Sequence, residues 1–260
     1  MDINAISEAL KAHPLIGAAG LCSSPAAGED KESDVDIFVY CSDIPPENER
    51  APLVSHISCD YVPGRERTRW GVCDLAHING EEVWLMYVTE RETLDEAEQT
   101  LAGALSDKLD NYYYPVGRLA TLKNIDVLFD KTGFLGGLKA RLAEYPERLS
   151  RALFKFHSEA LCDTEDIERA AARGDVLFYH FALDIALDHF LQALFALNRE
   201  YFPSRKRSIK YISGFEIKPL GCEQTLLDIV KLGGIPGGVR ASYGKMAELI
   251  EWTRAQAEAM

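Results

Sequence analysis

The sequence is short of positive charge. Of its 260 residues, 28 are Lys or Arg and 41 are Asp or Glu, so the formal net charge at pH 7 is −13. Proteins that bind duplex DNA non-specifically neutralise many phosphates with cations. We therefore expect no non-specific DNA binding, although a local basic patch could still serve a single phosphate ligand.

Metal-binding cysteine spacing and long apolar runs are also missing from the sequence. The six cysteines include no Cys-x-x-Cys pair, so a zinc knuckle is not expected. No stretch approaches 18 uninterrupted apolar residues, so we expect no transmembrane helix and no membrane partner. The first residues lack a basic leader followed by an apolar core, so we expect no signal peptide. Together with reduced thiols, these features predict a cytoplasmic protein.

The hydrophobic pattern divides the chain into two parts. Strand-like runs such as 16–22 and 35–41 alternate with helix-like segments in the first part, whereas nearly everything from Leu135 onward has helical periodicity. The most apolar segment, 177–202, is predicted to be the central helix of a bundle that ends at Pro203. We therefore predict an α+β protein, with a mixed-sheet domain over 1–134 and an all-helical bundle over 135–260.

Three local signals refine this prediction. Asn79-Gly80 lies between two β-rich runs, 69–78 and 82–88, and predicts an antiparallel hairpin. Thr93 is followed three residues later by Glu96, which is the pattern of a capping box at a helix start. The prolines of segment 42–52 predict a loop.

The most informative pattern is a pair of aspartates, Asp34 and Asp36, directly before an apolar run. In a strand these two residues share a face, with Cα atoms about 6–7 Å apart. Carboxylates held side by side repel one another unless they share a cation, and Mg²⁺ prefers carboxylate and phosphate oxygens. The small-residue loop 23–28 offers backbone N–H groups and hydroxyls to phosphate, and Gly28 permits close approach. The pattern predicts a site for a nucleoside triphosphate and its metal.

This stretch, SSPAAGEDKESDVDIFV, resembles the signature of the polymerase-β-like nucleotidyltransferases: Gly-Ser-x-Ala-x-Gly, a spacer, then Ser-Asp-x-Asp and a strand. The matching positions are Ser24, Ala26, Gly28, Ser33, Asp34 and Asp36. Ser23 stands where the family has its first Gly, and Ala27 stands where the family often has Arg. The later segment LQALFALNREYFPSRKRSIKYI is similar to the helical domain in the branch that contains the aminoglycoside and lincosamide nucleotidyltransferases.

The resemblance implies in-line attack of an acceptor hydroxyl on the α-phosphorus of a nucleoside triphosphate, with transfer of the NMP and release of pyrophosphate. It implies that Asp34 and Asp36 hold Mg²⁺, with two ions during catalysis. The predicted nucleotide-binding residues in the loop are Ser23, Ser24, Gly28 and Ser33. The acceptor stays open between a small molecule, such as an antibiotic, and a macromolecule. An oligomer is also possible.

Such enzymes usually need a third acid on a neighbouring strand to deprotonate the acceptor hydroxyl. Glu82 lies at the start of the strand 82–88, with Trp84 and Met86 on the same face. Asp74 on the paired strand is a second option, and the absence of a third acid is the remaining reading. An acid of the central helix could act instead, because a polar stripe recurs there every four residues. Its members are His180, Asp184, Asp188 and Gln192, with Asp184 or Asp188 as the base; the alternative is a stripe that faces solvent.

Cations follow the central helix in the segment SRKRSIK. Lys206 and Lys210 are predicted to neutralise the triphosphate, or else to face solvent in a basic loop, and Arg118 is a weaker candidate. Two other functions stay open. One is a catalytically silent member of the fold that binds a nucleotide or a protein partner. The other is a toxin-type nucleotidyltransferase that modifies tRNA or protein, although the acidic charge weighs against a tRNA acceptor.

Overall fold

The protein is α+β, with an N-terminal mixed sheet and a C-terminal helical region, as the sequence predicts. The computed structural model describes residues 3–22, 34–55, 57–58, 60–105, 114–235 and 237–259. By contact the chain forms two compact units, Met1–Gln99 with Gly117–Glu144, and Thr100–Val116 with Tyr145–Met260. The boundary predicted at residue 134 falls inside the first of these, at the start of a helix.

The first unit contains all the strands of the described chain. Its elements are α1 (Ile3–Ala12), β1 (Ile16–Cys22), β2 (Val35–Cys41), α2 (Glu47–Val54), β3 (Asp60–Val62), β4 (Arg67–Thr68), β5 (Gly71–Ile78), β6 (Glu81–Thr89), most of α3 (Glu90–Leu101), most of α4 (Pro115–Asn124), β7 (Asp126–Asp130) and α5 (Phe134–Leu142). The strands form one sheet in the order β3-β5-β6-β2-β1-β7, and β4 pairs with β5. The β2–β6 pair is parallel and the others are antiparallel, so β2 lies inside a mixed sheet.

Alternation along the central strands separates the two faces of the sheet. In β2, Ile37 and Val39 point into the hydrophobic core, where Leu85 of β6 and Ile6 of α1 are also fully buried. Because successive side chains of a strand point to opposite faces, Asp36 and its even-numbered neighbours lie on the other face. Burial of one face therefore fixes the direction in which the aspartates point.

The predicted hairpin is confirmed. Strands β5 and β6 pair antiparallel around Asn79 and Gly80, whose φ angles are 55° and 84°. Two consecutive residues with positive φ are the requirement of a type I′ turn, which Asn-Gly meets at the lowest cost.

Two local predictions are wrong. The helix α3 begins at Glu90, so Thr89 caps it: the Glu92 N–H donates to Thr89 Oγ1, and that hydroxyl donates to Glu92 Oε2 at 2.5 Å. Thr93 lies inside the helix and donates to the Thr89 carbonyl. The proline-rich segment also contains a helix, α2, because Pro46 takes the N-cap position, where no intrahelical N–H is needed.

The described part of the second unit consists of helices joined by loops, with no strand. It contains α6 (Glu147–Leu161), α7 (Glu165–Arg173), α8 (Val176–Leu197), α9 (Ser208–Ser213), α10 (Cys222–Gly233) and α11 (Val239–Ala259). The helix α8 ends before Pro203, because Asn198 caps it and Arg199 takes a φ of 51°. By length and composition α8 could cross a membrane, but 61% of its most apolar window is buried inside the protein, as in a core helix.

Candidate functional site

Both aspartates of the predicted motif line one cavity in the first unit. The cavity has a volume of about 430 Å³. Its described lining comes from β1, β2, the β4–β5 region, β6 and α4. The lining residues are Cys22, Asp34, Asp36, Phe38, Thr68, Trp70, Cys73, Trp84, Met86 and Thr121. The structure thus brings the two carboxylates together over a largely aromatic and sulfur-containing floor.

The sheet register explains which side chains surround the aspartates. Asp36 is the Cα partner of Cys22 across the antiparallel pair and of Trp84 across the parallel pair. Phe38 is likewise the partner of Met86. Asp34 is exposed and Asp36 is half-buried, so the pair lies at the mouth of the cavity and the apolar residues lie deeper.

The thiol beside Asp36 is held in its neutral form. Burial, and then the negative charge of Asp36, raise the pKa of Cys22 to about 11. At neutral pH the thiol is therefore protonated and is a poor nucleophile. Its contribution to the site is a small apolar wall.

The predicted phosphate-binding loop cannot be compared with the structure, because Ser23, Ser24, Gly28 and Ser33 lie outside the described residues. The predicted metal site can be assessed by its donors. Within the described ranges no group of three or more His, Cys, Asp or Glu side chains could hold an ion. Two carboxylates that share a cavity still fit Mg²⁺, because this ion usually binds one or two carboxylates and completes its shell with water and substrate phosphates.

The position beside Asp36 on β6 carries no acid. Trp84 occupies it, and the indole Nε1 of Trp84 donates to Glu82 Oε1 at 2.6 Å. Glu82 lies two residues earlier on the same face of β6, towards the exposed end of the strand. The indole therefore holds the Glu82 carboxylate on the cavity side of the sheet, two residues before the position that pairs with Asp36.

Asp74 lies on the opposite face of the sheet and is fully buried. It accepts hydrogen bonds from Arg50 Nε at 2.9 Å, from the Tyr61 hydroxyl at 2.5 Å and from the Gly64 N–H at 2.8 Å. A carboxylate with this many donors, on the core side of β5, has a structural role. Asp74 is therefore not positioned to act as the third acid of the cavity.

Three members of the polar stripe of α8, namely Asp184, Asp188 and Gln192, belong to one hydrogen-bonded network in the helical unit. Asp188 is 3% exposed and accepts from the Tyr114 hydroxyl at 2.7 Å and from Arg205 Nε at 2.6 Å. Arg205 also bonds Asp184, and Gln192 bonds Asp188. The stripe is therefore not a purely solvent-facing surface. Arg205 is the ion-pair partner of both carboxylates.

The remaining predicted cations, Lys206 and Lys210, are exposed in the helical unit. The sequence alone does not identify Trp70, Thr68 and Thr121 as cavity residues. No local pattern identifies them, because each reaches the cavity only through strand pairing or helix packing. The ring centroids of Trp70 and Phe38 are 6.3 Å apart. Trp70 follows the two-residue strand β4, which the sequence pattern does not predict.

Comparison with known proteins supports the fold. Residues 112–207 match a family described as a domain of unknown function, DUF4037. A comparison with curated proteins gives no match. Among solved structures, a nucleotidyltransferase-like protein from Exiguobacterium sibiricum 255-15 is similar with a TM-score of 0.50 and 13% identity, over 96% of this chain and 72% of that one. At this identity the likeness concerns the fold alone: the chain has a nucleotidyltransferase-like fold.

Proposed function

We propose that the protein is a metal-dependent nucleotidyltransferase that moves an NMP from a nucleoside triphosphate to a hydroxyl of an acceptor. The observation that carries the proposal is that Asp34 and Asp36 line the same cavity of a nucleotidyltransferase-like fold. The cavity volume, about 430 Å³, lies in the range usual for small-molecule sites.

In this proposal Asp34 and Asp36 hold Mg²⁺, as two ions during the reaction. The metal, when bound, offsets negative charge on the triphosphate and on the attacking oxygen. The two carboxylates would hold that metal at the cavity mouth, where the triphosphate tail would reach it. The aromatic floor beneath them excludes water from the reacting groups, which strengthens every charge interaction there.

We propose Glu82 as the group that takes the proton of the acceptor hydroxyl. Its carboxylate lies on the cavity side of β6 and is oriented by the Trp84 indole. The rival base, Asp184, already forms an ion pair with Arg205, which favours Glu82. Lys206 and Lys210 remain our candidates for neutralising the triphosphate, and Ser23, Ser24, Gly28 and Ser33 for binding its oxygens.

A small acceptor fits the proposal better than a nucleic acid. The chain carries a net charge of −13, which opposes binding of a polyanion. The resemblance to the aminoglycoside and lincosamide branch suggests a small hydroxyl compound, such as an antibiotic, available in the cytoplasm.

The test is transfer of label. The protein is incubated with Mg²⁺, each α-labelled nucleoside triphosphate in turn and a small-molecule cell extract, and both labelled products and released pyrophosphate are measured. We expect one labelled compound, and a loss of at least about 100-fold in Asp34→Asn and Asp36→Asn, because each removes a charge that holds the metal. Asp60→Asn, an exposed aspartate on β3, is the matched control. Equal labelling by all three variants would refute the proposed role of the pair.

A second candidate is a catalytically silent nucleotide binder. The tryptophan beside Asp36, where an acid is expected, favours this alternative. Such a protein would bind a nucleoside triphosphate with Mg²⁺ but release no pyrophosphate with any acceptor. Measuring binding and release separately therefore distinguishes the two candidates.

A further inference from the structure

Arg118 lies beside the cavity on the helix α4. The same helix supplies Thr121 to the cavity lining. Residues three apart lie on one face of a helix, so Arg118 and Thr121 are directed to the same side. The position of Arg118 next to Phe38 agrees with this: its guanidinium carbon lies 5.3 Å from the centroid of the Phe38 ring, and Phe38 lines the cavity.

Arg118 is buried without adequate hydrogen bonding. It is 4% exposed, and its Nε and Nη1 atoms have no hydrogen-bond partner. Its paired carboxylate is Glu96, whose Oε2 lies 3.8 Å from Nε, beyond hydrogen-bond distance. Buried donors are nearly always satisfied, because leaving them unpaired costs free energy. The guanidinium therefore has unused capacity to bind an acceptor.

Glu96 is a weak counterion for this guanidinium. Burial raises the pKa of Glu96, and the charge of Arg118 acts in the opposite direction without reversing the shift. A tight pair would instead lower the pKa of the carboxylate. At 3.8 Å the Glu96 carboxylate accepts no hydrogen bond from Arg118 Nε, so the contact leaves that donor available.

No basic side chain is present in the described lining of the cavity. Its described lining contains two aspartates and no lysine or arginine, whereas a polyphosphate carries several negative charges. A guanidinium presents its donors in a planar fork that matches phosphate oxygens. Burial makes the attraction stronger than it would be in water.

We propose that Arg118 is a binding residue for the polyphosphate anion that enters the cavity, with phosphate oxygens accepting from its Nε and Nη1. The inference rests on the proposed function for the identity of that anion, a nucleoside triphosphate or the pyrophosphate it releases. Arg118 reaches the anion past the Phe38 ring through a change of side-chain rotamer. The anion holds that orientation once it is bound.

Binding can be measured through the cavity's own tryptophans. Trp70 and Trp84 line the cavity, and Trp252 lies in α11. The Trp252→Phe protein is titrated with inorganic pyrophosphate, with orthophosphate and with each nucleoside triphosphate, all in the presence of Mg²⁺. Binding is followed by the change in tryptophan fluorescence. Orthophosphate separates polyphosphate binding from binding of any phosphate. Melting temperatures are recorded for every variant.

Three variants separate a binding role from a structural one. Arg118→Met removes the cation, Arg118→Lys keeps the charge without the fork, and Glu96→Gln removes the counterion. We expect Arg118→Met to weaken pyrophosphate binding about 10- to 100-fold, the range for loss of a charged hydrogen bond. Arg118→Lys should lie between this variant and the parent. Glu96→Gln should bind as tightly as the parent or more tightly, since it frees the guanidinium.

The inference is overturned if Arg118→Met binds pyrophosphate like the parent, or if Glu96→Gln loses as much affinity as Arg118→Met. If Arg118→Met does not fold, Arg118→Lys and Glu96→Gln decide: unchanged affinity in the lysine variant overturns the inference. Absence of pyrophosphate and triphosphate binding by the parent also overturns it. The proposed function fails separately. Arg118-dependent binding without transfer leaves the inference standing, and transfer that is insensitive to Arg118 leaves the function standing.

Discussion

Replacing Asp74 by alanine should strongly destabilise the sheet unit. The Asp74 carboxylate is fully buried and accepts from Arg50 Nε at 2.9 Å and Nη2 at 3.1 Å, from the Tyr61 hydroxyl and from the Gly64 N–H. Its removal leaves the Arg50 guanidinium, 4% exposed, without its counterion. Breaking a buried ion pair in this way costs about 3–5 kcal/mol. This is a large share of the roughly 5–15 kcal/mol that stabilises a typical domain.

The assay is urea unfolding followed by tryptophan fluorescence, because Trp70 and Trp84 report on the same unit. The matched control is Asp95→Ala, which removes an exposed pair with Arg91 at 3.9 Å and should cost under about 0.5 kcal/mol. A loss below about 1 kcal/mol in Asp74→Ala would refute the reasoning. So would loss of nucleotidyl transfer in a folded Asp74→Asn protein of unchanged stability, because that would make Asp74 a base.

Two further predictions concern a glutamate and a buried histidine pair. Glu82→Gln should lower kcat/KM by about 10²–10⁴-fold, the usual contribution of a general base, whereas Glu81→Gln, on the opposite face of β6, should not; equal rates in the two variants would contradict the assignment. His157 and His189 share a 3.0 Å contact between their Nδ1 atoms, and burial, then the charge of His189, lowers the pKa of His157 to about 3. In the unfolded chain the pKa of His157 is about 6.5, so on acidification the unfolded state binds the proton before the folded state does. The contribution of His157 to the free energy of unfolding should therefore be constant above about pH 6.5. Below that pH the free energy of unfolding should fall by up to about 1.4 kcal/mol per pH unit. Urea midpoints between pH 5 and 7 should show a smaller slope in His157→Phe, and a slope unchanged by that substitution would contradict the pair's role.

Features encoded within a few residues could be predicted from the sequence. The Asn79-Gly80 turn needs two positive φ angles, and that dipeptide supplies them at low cost. The shared face of Asp34 and Asp36 follows from strand periodicity alone. The helix start at Glu90 could not be predicted, because the sequence contains two consecutive Thr-x-x-Glu patterns, 89–92 and 93–96, and the end of the preceding strand, β6, decides which of them caps the helix.

Features that depend on register between distant segments could not be predicted. Which β6 residue lies beside Asp36 depends on how two parallel strands align, and a shift of two residues would exchange Trp84 for Glu82. The same limit applies to Arg118, whose burial depends on the packing of α4 against the sheet. The partnership of Asp74 with Arg50 also depends on α2, which the prolines concealed.

The parallel pairing of β2 and β6 affects the order in which the protein folds. The hairpin of β5 and β6 needs only a two-residue turn, whereas the pairing of β2 with β6 must close a long stretch of chain against its entropy. Contacts of long sequence separation form slowly. The pairing of β2 with β6, which places Trp84 beside Asp36, should therefore form late in folding. The hairpin of β5 and β6 should already be present by then.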